Sequence, residues 1–174
     1  MSMTTPFLII LDGMMWAGKT TTSRLLGERL PRTAIIGMDR VKRFLSDFER
    51  WEIDNGIAKD IVFGMTEIYF KHGISVIIDQ PFANDATISP YADLAGQYNI
   101  PLYGFQLYTT PEHAFQRVIN RQKDKTPDFH VPEERIRHNI WLFAMKDESH
   151  FLSIDTSDIS SEDVVNIVLK KLWF

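Results

Sequence analysis

Between an apolar run, FLIIL at residues 7–11, and a segment of helical period from Thr20 to Leu30, the chain reads Gly13-Met-Met-Trp-Ala-Gly-Lys-Thr20. This G-x-x-x-x-G-K-T spacing, set after a strand and before a helix, constrains the fold more than any other feature. It specifies a loop whose main-chain N–H groups converge on an anion, with the positive end of a helix dipole behind them. Lys19 is then placed to reach the β- and γ-phosphates of ATP, and Thr20 to set its hydroxyl on Mg²⁺. The expected nucleotide contacts run through Gly13, Met14, Met15, Trp16, Ala17, Gly18, Lys19, Thr20 and Thr21. A turn that needed its glycines only for bending leaves Lys19 and Thr20 unexplained.

Three bulky side chains fill the middle of this loop. Phosphate is bound by main-chain donors, so Met14, Met15 and Trp16 can point away from a nucleotide without loss. Two readings stay open. They line the acceptor side and exclude water, favouring transfer over hydrolysis, or they pack into the core, where Met commonly fills gaps.

Further apolar, β-rich runs stand at 34–37, 75–79, 101–108 and 151–154, alternating with segments of helical period. That alternation is the βαβ signature, and strands apolar on both faces imply a parallel sheet between helix layers. Ile57, Ile61, Met65 and Ile68 recur at helical spacing and predict a helix over 56–71; Val164, Ile167, Val168 and Leu172 predict another near the end. Ser160 with Asp163 three residues on, and Thr110 before Pro111, read as helix starts. The polar, proline-bearing stretch 121–132 reads as a lid within a single domain spanning 1–174.

With a net charge of −4 and a pI near 5.7, the chain has no broad basic face for long nucleic acid, though a local basic pocket is compatible with it. The absence of cysteine excludes disulfides, zinc–thiolate sites and thiol catalysis, and the five histidines lack metal-ligand spacing. The early apolar run is too short for a signal sequence or a membrane span, so a cytoplasmic protein is expected.

The guanine-specific motif N-K-x-D is not found, NRQKD at 120–124 having the wrong order, and Asp79 is followed by Gln-Pro-Phe rather than by the x-x-Gly of a switch, which argues against a GTPase. The sequence offers instead Asp39 after the second strand, Asp79 ending the third, and Arg117 and Arg121 one turn apart on the helix after the fourth. In parallel sheets the C-terminal strand ends carry the site, so Asp39 can accept a proton there, or else cap the helix that begins near Arg40. Asp79 is placed either to hold Mg²⁺ through water or to anchor its own loop. Arg117 and Arg121 suit the charge on a transferring phosphoryl group, or form a solvated face paired with Glu112 or Asp124. Phe44, Phe48, Trp51 and Phe82 are candidates for an acceptor pocket or for core, and Gln80 and Asn84 for acceptor contacts.

GMMWAGKT, the Asp39 position, VIIDQPFAN (75–84 region) and SIDTSD (153–158) resemble the small P-loop kinases. That group includes AAA-like kinases, chloramphenicol phosphotransferase, zeta-type toxins and the polynucleotide 5′-kinase domain. The resemblance implies an α/β P-loop NTPase three-layer sandwich: a five-stranded parallel sheet of order 2-3-1-4-5 with a short lid. It implies Asp39 as the group that activates an acceptor hydroxyl, lid arginines at Arg117 and Arg121, and main-chain contacts from the IDTSD stretch to adenine. The activity it implies is Mg²⁺- and ATP-dependent phosphorylation of a small-molecule alcohol. Two other functions remain open: phosphorylation of a nucleoside, nucleotide or polynucleotide 5′ end, and an ATP-binding regulatory or toxin-like role.

Overall fold

The computed structural model describes residues 5–49, 52–82, 85–123, 132–142 and 151–172; at 85, 121–123, 135 and 139–142 the backbone alone is described. Strands β1 (Leu8–Gly13), β2 (Thr33–Ile36), β3 (Ser75–Asp79), β4 (Leu102–Tyr108) and β5 (Leu152–Asp155) form one sheet in the order β2-β3-β1-β4-β5. Every strand pair is parallel. This is the expected order, and it makes β1 the central strand.

Helices α1 (Lys19–Arg29), α2 (Met38–Val41), α3 (Glu52–Lys71), α4 (Asp85–Gln97), α5 (Pro111–Lys123), α6 (Glu133–Leu142) and α7 (Ser161–Leu172) cover the two faces. The period-2 alternation of β1 shows how. Ile9 and Leu11 pack into a core with Leu26 of α1, Val118 of α5 and Val164 and Val168 of α7. Leu8 and Ile10 face the other way, against Val62 of α3 and Leu94 and Ala95 of α4. All four β1 side chains have no exposed surface, and each such burial stabilises by about 1.5–3 kcal/mol. A charge at any of them breaks the layer.

The helix starts are local chemistry. Ser160 Oγ accepts from Asp163 N–H at 3.1 Å while the Asp163 carboxylate accepts from Ser160 N–H at 3.1 Å, a reciprocal capping box for α7. Thr110 Oγ1 accepts from His113 N–H at 3.2 Å at the start of α5.

One expected boundary needs correction. The helix foreseen at 56–71 begins at Glu52, and its buried stripe is Ala58, Val62, Thr66 and Phe70. The isoleucines that revealed the period lie on the outer side: Ile57, Ile61 and Ile68 are 46%, 39% and 56% exposed. In α7, likewise, Val165 is buried while Ile167 is 38% exposed. Of the expected lid, residues 121–123 continue α5 and 124–131 lie outside the described residues.

Candidate active site

The site forms where β1, β3 and β2 end and α1 begins. Gly13 and Gly18, the two glycines of the motif, both have positive φ, at 116° and 98°. At Gly13 a Cβ would stand 1.9 Å from the Leu107 carbonyl oxygen, so β1 can lie this close to β4 only without a side chain there. Trp16 is also left-handed, with φ 63°, a conformation that costs a non-glycine residue about 1–3 kcal/mol and persists only when its surroundings hold it.

Those surroundings account for the bulky side chains. Met14 is 3% exposed and belongs to the α1–α5–α7 core, where its sulfur accepts from Thr109 N–H at 3.3 Å. The Met14 N–H donates to Leu107 O at 3.2 Å. Trp16 lies partly buried against the same core. Met14 and Trp16 are therefore pegs that fasten the loop to the core. The acceptor-side reading of Met14 does not hold.

Lys19 is buried, and its ammonium donates 2.7 Å hydrogen bonds to the carbonyls of Gly13 and Met14. Burial pushes its pKa down to about 8, against the pull of Asp12, Asp79 and Asp39, in that order. Three carboxylates thus act on one lysine, and two of them are the sequence candidates Asp39 and Asp79. Thr20 and Thr21 are exposed at the first turn of α1.

The Asp79 side chain is only 4% exposed. Its Oδ2 accepts from Ser23 Oγ at 2.6 Å and from the Arg40 guanidinium at 3.4 Å. Burial raises its pKa above the usual aspartate range, opposed by Ser23, Arg40 and Lys19. Ser23 Oγ also bonds Thr20 O at 3.1 Å, which ties Asp79 to the first turn of α1. Asp39 is 89% exposed and faces Lys42 Nζ at 3.6 Å. It sits inside α2, whose N-cap is Gly37 with no side-chain cap bond, so the capping alternative for Asp39 is not what forms.

Arg117 points across the loop. Its guanidinium donates to Trp16 O at 3.2 Å, to Thr156 Oγ1 at 3.0 Å and to Thr156 O. The Arg121 side chain, Trp51 and Asn84 lie outside the described residues. Gln80 is buried and accepts from Met38 N–H at 3.3 Å, a scaffold contact. The aromatic candidates divide: Phe82 is core, Phe48 packs against the core with Lys42 over its ring, and Phe44 is 75% exposed.

Three contributors escaped the sequence reading. Asp12 is a carboxylate in an otherwise apolar strand and accepts from Phe82 N–H at 2.8 Å. Ser23 lies one turn beyond Thr20 among residues that face the sheet. Thr156 stands within the noted SIDTSD stretch. The signal for Asp12 was a lone polar residue ending an apolar run, and a buried polar group requires a partner; Ser23 and Thr156 stand in polar runs, 19–24 and 155–158, that carry no such mark.

A family model described as an AAA domain matches residues 8–143. No curated protein sequence matches the chain. Solved structures share its fold across nearly their whole length. The APS kinase of Mycobacterium tuberculosis, in complex with AMPPNP and APS, is 12% identical with a TM-score of 0.72 over 98% of this chain and 99% of that one. A gluconokinase from Sinorhizobium meliloti is 12% identical, TM-score 0.67, with 97% of each chain covered. The tunicamycin resistance protein of Deinococcus radiodurans is 15% identical, TM-score 0.64, covering 96% and 95%. Identities this low speak to the fold alone, which is that of P-loop kinases. Among the described residues no helix is long and apolar enough to cross a membrane.

Proposed function

The chain belongs to the AAA domain family, and on that premise we propose that it is a phosphotransferase that moves the γ-phosphate of ATP to a hydroxyl of a small molecule. The observation that carries the reading is the posture of Lys19. A buried ammonium with a depressed pKa spans two loop carbonyls at 2.7 Å, where a polyphosphate would be a far stronger partner. On binding, Lys19 exchanges those carbonyls for the β- and γ-phosphate oxygens, and loop amides beyond Met14, whose own N–H is held by Leu107 O, complete the cradle.

Asp39, exposed in α2 just beyond the end of β2, accepts the acceptor's hydroxyl proton. The freed oxygen forms a bond to the γ-phosphorus as the bond to the β–γ bridging oxygen breaks, and ADP departs with that electron pair. Arg121, one turn after Arg117 near the end of α5, begins the stretch 121–132 that the sequence reads as a lid, a place from which a guanidinium would offset charge on the transferring group. Thr20 and Asp79 suit Mg²⁺: the exposed Thr20 hydroxyl and the buried Asp79 carboxylate, the latter tied through Ser23 to the Thr20 main-chain carbonyl, are hard oxygen donors of the kind this ion takes one or two at a time. Bound there, it supplies charge neutralisation across the phosphates.

The test is a screen of hydroxyl-bearing small molecules for ATP-dependent phosphorylation, with nucleosides and 5′-hydroxyl oligonucleotides included and Asp39→Asn as control. A labelled product that disappears in the control supports the reading. Turnover that survives Asp39→Asn removes Asp39 from the base role.

A further inference from the structure

Thr156 is buried at the end of β5, 4% exposed, and does more than close the sheet. Its N–H donates to Tyr108 O at 2.8 Å, which joins the ends of β4 and β5. Its hydroxyl lies 3.0 Å from the same carbonyl and 3.1 Å from Ala17 O in the phosphate loop. A carbonyl oxygen accepts up to two hydrogen bonds, so the single hydroxyl hydrogen is shared between Tyr108 O and Ala17 O. The hydroxyl oxygen accepts from Arg117 at 3.0 Å, and Arg117 also donates to Trp16 O at 3.2 Å. Two successive loop carbonyls, those of Trp16 and Ala17, are thus drawn to the β5 side.

The consequence is geometric. In a trans peptide the C=O and N–H point in opposite directions, and the chain contains no cis bond among the described residues. Holding Ala17 O toward Thr156 therefore turns Gly18 N–H to the opposite side of the loop. Among the described residues nothing accepts a hydrogen bond from that N–H. Holding Trp16 O also maintains the left-handed Trp16, the non-glycine residue of the loop with positive φ.

We infer that Thr156 is a positioning residue for nucleotide binding: its hydroxyl, backed by Arg117, fixes the Ala17–Gly18 peptide plane so that the Gly18 amide faces the polyphosphate. The inference rests on the reading of this loop as the ATP site. It requires a group that donates and accepts at once, which threonine and serine supply and valine, of nearly equal shape, does not.

The experiment measures Kd for Mg·ATP and for inorganic tripolyphosphate in the full chain and its Thr156→Val and Thr156→Ser variants. Thr156→Val weakens both ligands about tenfold or more, the loss expected for a misaligned buried donor, and Thr156→Ser restores both to within about threefold of the parent. Tripolyphosphate binding unchanged in Thr156→Val, with ATP alone weakened, moves the residue to the adenine side and overturns the inference. Equal binding of both ligands by the parent and Thr156→Val, or equal weakening by Val and Ser, overturns it too. Absence of ATP binding in the parent chain is a different result and sinks the functional reading itself. Should Thr156→Val fail to fold, Thr156→Cys, whose thiol is a weak donor, carries the same expectation.

Discussion

Ser23 Oγ donates a 2.6 Å hydrogen bond to Asp79 Oδ2, so the first turn of α1 and the end of β3 act as one unit. Asp79 is a buried carboxylate whose pKa is raised, chiefly by burial. Ser23 is one of the groups that make its ionised form tolerable. Replacing Ser23 by Ala leaves an acceptor short of a donor and destabilises the fold by about 1–3 kcal/mol at neutral pH. Urea titration measures the loss, which shrinks in an Asp79→Asn background because the two residues share the interaction.

The same shift sets a sign for pH. A carboxyl whose folded pKa lies above its unfolded value holds its proton longer in the native state, so stability falls as pH rises across that interval. The wild type carries this component above the ordinary aspartate value of 3.8, and Asp79→Asn lacks it. Thermal midpoints taken through the acidic range compare the two. A variant with the same acid profile as its parent contradicts the assignment.

Burial lowers the Lys19 pKa to about 8. Its charged form is disfavoured by burial, so the native state is penalised below that value and gains stability as pH rises from about 8 toward the ordinary lysine range. ATP affinity runs the opposite way, because the neutral amine cannot pair with phosphate. The affinity of the parent chain falls above pH 8, and Lys19→Met binds ATP about 10- to 100-fold more weakly without that pH break. Fluorescence titration at a series of pH values separates the two curves.

Met14→Ala discriminates between the two meanings of the bulky loop. A side chain 3% exposed within the main core, removed, leaves a cavity costing about 2–5 kcal/mol. Calorimetric unfolding reads the loss directly. A residue that instead lined the acceptor would shift the acceptor KM and leave stability nearly intact.

Asp39 is the contrasting case. It is 89% exposed and faces Lys42 at 3.6 Å, a surface pair worth at most about 1 kcal/mol. Asp39→Asn therefore leaves the unfolding midpoint almost unmoved while lowering kcat by about 100-fold or more. A large fall in stability would place Asp39 among the structural residues instead.

These pairings show where sequence information ends. The strand–loop–helix of β1 and α1 was legible because its chemistry is main-chain and local, fixed by the spacing of Gly13, Gly18, Lys19 and Thr20. The sheet order followed from resemblance and was found as expected. The face of α3 was not legible: two stripes one residue apart, Ile57–Ile61 and Ala58–Val62, are both apolar, so the period gives the helix but not its rotation. Ser23, Asp12 and Thr156 were hidden for a different reason. Their partners are distant in the chain, 56 residues from Ser23 to Asp79 and 139 from Thr156 to Ala17. Only the folded sheet brings them within reach. Arg117 illustrates both halves, since its helix was read correctly while the direction of its guanidinium, toward Trp16 and Thr156, depends on β5.

The central claim is that the amides between β1 and α1 form a cradle for a nucleotide's polyphosphate. Isothermal titration of the full chain with Mg·ATP tests it most directly. Saturable uptake of one equivalent, weakened in Lys19→Met, is the expected result. No heat of binding at millimolar nucleotide, or identical isotherms for the parent and Lys19→Met, would contradict it.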